Sequence, residues 1–145
     1  MLTEHEEIEI QEAIDAADVA LEYLGSARDY LSKASRWGIV DIIGGGPLIT
    51  MIKRNNMKEA RYQMEQARDA LRNFSRELND LRLFDEIDLD TDQFLGFADY
   101  FFDNPIMDFL VQNKITEASR QVEEAIDRVA QIQKELIQVL DNDGE

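Results

Sequence analysis

Carboxylates are the only chemically active side chains that this chain holds in quantity. Its 145 residues carry 31 Asp and Glu against 15 Lys and Arg, with one histidine and no cysteine. Without cysteine there is no disulfide, thiolate metal ligand or thiol nucleophile. A lone His5 cannot supply the histidine pairs of zinc or di-iron centres. What remains is oxygen-ligand chemistry: Mg²⁺ held by Asp and Glu for nucleotide hydrolysis, or Ca²⁺ held in an acidic loop.

The hydrolase reading requires carboxylates that point into a helical interior. At about 100° per residue, Glu12 falls nearly opposite the apolar stripe of its segment, and Glu9 roughly 100° from it. Glu65 and Asp69 turn away from the next stripe, as do Glu123, Glu124 and Asp127 from the last. These read as solvated faces. The expectation is therefore no catalytic residue, no metal ligand and no cofactor, with a Mg²⁺-dependent nucleotide hydrolase as an alternative.

The calcium reading falls on LFDEIDLDTDQFLGFAD, where Asp88, Asp90 and Asp92 alternate and Asp99 takes the twelfth place of an EF-hand loop. Gln93 stands where that loop needs glycine for its sharp turn, and the twelfth residue is Asp rather than the longer Glu. A helix start explains the same residues: Asp90 or Thr91 caps, and Asp92 sits against the positive end of the dipole.

The elements that must position these groups are helices. Ile10, Ile14, Ala17, Leu21, Leu24, Leu31 and Ala34 recur at helical spacing, and Thr3 with Glu6 makes a capping box ahead of them. Gly38 is the expected stop. Met57, Ala60, Met64, Ala67, Leu71, Phe74, Leu78 and Leu81 alternate three and four without a slip. So do Ile115, Ala118, Val122, Ala125, Val129, Ile132, Leu136 and Val139, a rhythm that gives coiled-coil-like packing. A short helix from about Asp92 to Asp103 ends before Asn104-Pro105. The fold class predicted is all-α: an elongated antiparallel helical bundle of three long helices and one short one, forming a single domain over 1–145. The short helix is rich in rings: Phe94, Phe97, Tyr100, Phe101 and Phe102, with Phe109 following. They read as a plug for the bundle's end, or else as a partner-binding patch.

The connection from Arg36 to Asn56 is long and apolar for a turn between helices, and it holds the only tryptophan, Trp37. Gly44, Gly45 and Gly46 free the backbone, and Pro47 suits the first position of the next helix. The Lys-Ser/Thr that completes a P-loop is missing, since Gly46 is followed by Pro47-Leu48. Residues 28–61 contain seven Lys and Arg against three Asp and Glu, a net +4. Residues 1–22 hold eight acidic residues and no Lys or Arg, and residues 77–108 hold ten against Arg82 alone. Antiparallel packing would set those acidic segments at the end opposite the glycines, making the molecule a dipole along its length. Three roles fit the basic segment: folding back over the core, entering anionic lipid headgroups, or docking a protein or another copy's acidic end.

The pattern W-G-x-x-D-x-x-G-G-G, carried by Trp37, Gly38, Asp41 and Gly44 to Gly46, resembles a hairpin loop of uncharacterised bacterial helical proteins. It covers about a tenth of the chain. The resemblance implies that the loop is a feature in its own right and implies no activity.

Together these observations predict a non-catalytic protein–protein interaction or assembly module. Its expected contact surface comprises Trp37, Ile39, Asp41, Ile42, Gly44, Gly45, Gly46, Lys53 and Arg54. The partner is another protein or a second copy, with an anionic membrane surface as the alternative. Net charge −16 excludes direct nucleic-acid binding, because nothing cationic is in excess to displace phosphate counterions. The opening MLTEHEEIEI is acidic where a secretory leader is basic, so the expected location is cytoplasmic.

Overall fold

The computed structural model describes residues 2–44, 47–81, 92–103 and 115–143, with side chains outside 33–57, 92–93, 100–103 and 115–116. Four helices account for nearly all of them, and there is no strand among the described residues: α1 (Glu4–Gly44), α2 (Pro47–Leu81), α3 (Asp92–Asp103) and α4 (Ile115–Asp143). The all-α bundle with three long helices and one short one is thus the observed architecture.

The start of α1 is fixed as its sequence requires. The Glu6 N–H donates to the Thr3 hydroxyl at 3.1 Å, and that hydroxyl donates to the Glu6 carboxylate at 3.1 Å. The Glu7 N–H reaches the Thr3 carbonyl at 3.0 Å, closing the first turn. Glu4, Glu6 and Glu7 then lie in the first turn, where the helix dipole favours negative charge.

The far end of α1 corrects the expected connection. Gly38 does not stop the helix, which runs 41 residues through Trp37, Ile39, Asp41 and Ile42 to Gly44, about 60 Å of helix. One interior glycine costs only about 1 kcal/mol, and no proline interrupts the hydrogen-bond ladder before Pro47. Pro47 opens α2, where its missing N–H costs nothing. The expected long loop is therefore a close connection between two helix ends.

Cross-helix contacts fix the directions. The Leu2 N–H donates to Asp143 at 2.9 Å, Gln133 donates to Asp18 at 2.6 Å and to the Ile14 carbonyl at 3.2 Å, and Arg28 stands 4.0 Å from Glu123. Residue numbers rise along α1 as they fall along α4, so the two are antiparallel. Glu9 and Glu12 of α1 meet Glu77 near the end of α2, so that pair is antiparallel as well. α1 packs on α2 and α4, while α3 bridges α2 and α4 on another side.

Because α1 lies between two long neighbours, it buries more than one stripe. Ala13 and Ile14 are both buried, as are Ala16 and Ala17, although adjacent residues point about 100° apart. Ala20 and Ala27 join them, and these small side chains allow close helix approach. α2 and α4 each bury chiefly one stripe in the predicted three-four rhythm, Ala60 to Leu81 and Ala118 to Leu136, with Ala70 and Gln121 buried beside it. α3 closes the core with rings: Phe94 lies edge-on to Phe74, centroids 5.3 Å apart, and the Arg128 guanidinium sits 4.8 Å over Phe97. Phe94 and Phe97 are buried, so these two rings belong to the core between α2 and α4; the side chains of Tyr100, Phe101 and Phe102, and Phe109 itself, lie outside the described residues.

Candidate functional site

The two regions with functional potential lie at opposite ends of the α1–α2 hairpin. At one end, Trp37, Ile39, Asp41, Ile42 and Gly44 occupy the last turns of α1, and Lys53 and Arg54 the second turn of α2. Gly45 and Gly46 lie outside the described residues, as do Asp88 and Asp90 of the acidic connection. Asp92 begins α3, in keeping with the helix-start reading. Antiparallel packing of α1 on α2 gathers residues 28–61, whose own sum is +4, in this half of the hairpin, where Glu123 of α4 stands 4.0 Å from Arg28. Beyond the predicted residues, Lys58, Arg61 and Tyr62 follow on α2 with exposed side chains, and Tyr62 is 54% accessible.

At the other end the structure joins three carboxylates whose meeting periodicity does not reveal. One oxygen each of Glu9, Glu12 and Glu77 lies within 4.8 Å of the others, across the α1–α2 interface. Glu12 is exposed, as its wheel position predicts, while Glu9 and Glu77 are half-buried at the edge of the seam. Burial pushes the Glu77 carboxyl above the ordinary carboxylate range, with Glu12, Glu9 and Asp80 adding repulsion and Arg76 drawing it partly back. His5 stands 4.0 Å from Glu9 on the solvent side. Such a triad can attract a cation. Wheel angles place each residue on its own helix, and only the packing of α1 on α2 reveals Glu77.

Charge is handled differently on α4. There Arg120 pairs with Glu117 at 2.8 Å and Arg128 with Glu124 at 3.1 Å, one turn apart in each case. The first 22 residues have no Lys or Arg with which to make such pairs. No helix among the described residues is long and apolar enough to cross a membrane. Comparison of the chain with protein-family models, with curated proteins and with solved structures gives no match.

Proposed function

We propose that this chain is a non-catalytic interaction or assembly module of the cytoplasm, and that it engages its partner through the basic end of the α1–α2 hairpin. The observation that carries this reading is the gathering of Lys and Arg, together with Trp37 and an Ile-rich helix end, at one pole of an otherwise acidic bundle. Tryptophan and arginine are the residues that most often anchor interfaces, and charge contrast steers encounter with an anionic partner surface. Trp37, Ile39, Ile42, Lys53 and Arg54 are the proposed contacts, with Asp41 and the glycines from 44 to 46 shaping the connection.

The test is a Trp37→Ser/Ile42→Ser double substitution, read by circular dichroism and by capture from native lysate. Intact helices with capture lost support the reading. A protein that unfolds assigns these side chains to the core instead, and undiminished capture moves the contact elsewhere. Co-sedimentation with anionic and neutral vesicles separates the membrane alternative, which requires salt-sensitive binding to the anionic ones alone.

A further inference from the structure

We infer that the partner of the basic end is the acidic end of a second copy, giving head-to-tail association. This rests on the reading of the hairpin end as the contact surface, and it names what that surface meets. Both halves of the complementary pair are present in one chain. Lys53, Arg54, Lys58 and Arg61 lie along the opening turns of α2. Glu4, Glu6 and Glu7 lie in the first turn of α1, and the Leu2–Asp143 contact brings the end of α4 to the same pole.

The two ends cannot satisfy each other within one molecule. α1 is a single helix joining them, and with Lys53 to Arg61 set back from the start of α2 the two charge groups stand roughly 40–50 Å apart. That span is several times the Debye length of about 8 Å at physiological salt. Each end therefore acts on its immediate surroundings, and the repulsion between two chains of net −16 is screened beyond the region of contact. A basic end approaching another copy meets attraction at the acidic pole, where the first 22 residues hold eight acidic residues and no Lys or Arg. Joining unlike surfaces, the contact does not close on itself as a two-fold dimer does, so a third copy can add to the second. An interface limited to the end of a bundle is small, which puts the association in the weak, concentration-dependent class.

Analytical ultracentrifugation of the full chain at about 0.15 M salt tests this, with two charge reversals. One variant carries Lys53→Glu and Arg54→Glu, and the other Glu4→Lys and Glu7→Lys, which spares the Thr3–Glu6 cap. The average mass of the unmodified chain is expected to rise with concentration past two copies. Each reversal alone should weaken association at least roughly tenfold by setting like charges together, and an equimolar mixture should restore it. The restoration also shows that neither variant fails merely by misfolding. A chain that stays monomeric, a plateau at two copies, or a mixture no better than its components overturns the inference. If the chain stays monomeric yet Trp37 and Ile42 are still needed for capture, the interaction function stands and self-assembly alone is rejected.

Discussion

The two poles of the α1–α2 hairpin carry opposite charge, and the described core between them is one cluster reaching from Leu2 to Leu31 and Ala60. Toward the acidic pole the carboxylates of Glu9, Glu12 and Glu77 crowd together at the helix seam. At the other pole α1 and α2 run to within two residues of each other, and residues 28–61 carry seven of the chain's 15 Lys and Arg. Packing alone does not produce such a division. α4 lies in the same bundle, buries an equally regular stripe and pairs Glu117 and Glu124 with arginines one turn away. Charge separation is thus a property of α1 and α2, laid over a core that would be satisfied without it.

The largest way to break the fold that carries this contrast is to remove a ring from its core. Phe74 is fully buried and holds Phe94 edge-on. Phe74→Ala should cost about 3–5 kcal/mol, the usual range for a phenylalanine deleted from a core. Denaturant unfolding followed by circular dichroism measures the loss. A single transition is expected, since the described core is one continuous cluster; two separated transitions would mean that parts of the bundle fold independently.

The core was largely legible from spacing because α2 and α4 each face the interior chiefly with one stripe. Ala60 to Leu81 and Ala118 to Leu136 are buried in the predicted rhythm. α1 was legible only in part. Its second buried face is made of Ala13, Ala16, Ala20 and Ala27, which carry too little apolar surface to stand out from an acidic background. That run of alanines is itself the available signal, since small residues mark a helix enclosed by two neighbours. The stop at Gly38 was misplaced for a different reason: a glycine weakens a helix by an amount that an otherwise unbroken ladder absorbs. Of the acidic site, Glu9 and Glu12 could be set on a helix face from sequence. Glu77 could not, because contact between separate helices depends on their register and not on the periodicity of either.

A smaller effect sharpens the view of α1 as one rod joining the poles. Gly25 lies within α1, and a methyl group added there meets nothing within 4 Å. Gly25→Ala should raise unfolding free energy by about 1 kcal/mol through helix propensity alone, read as a higher midpoint at unchanged denaturant slope. A decrease would mean that α1 bends at this point, and the distance between the poles would have to be revised.

The smallest expected effect tests the crowding itself. Burial and the nearby Glu12, Glu9 and Asp80 make folded Glu77 hold its proton more tightly than an unfolded chain does. Below the ordinary value of 4.5 the group is neutral in both states and costs nothing. As pH rises past that value toward the raised one, the unfolded chain releases its proton first, and stability falls. Above the raised value the charged group sits among like charges, moderated by water on the exposed side. Glu77→Gln should therefore match the parent at roughly pH 4 and exceed it by about 0.5 kcal/mol at neutral pH, the scale of like-charge pairs at a helix surface. Paired denaturant titrations across that interval isolate the effect, because every other carboxylate is common to both proteins. A difference that stays constant with pH would show that Glu77 stands apart from Glu9 and Glu12 in solution. A parent more stable than the variant at neutral pH would mean that a bound cation reverses the repulsion.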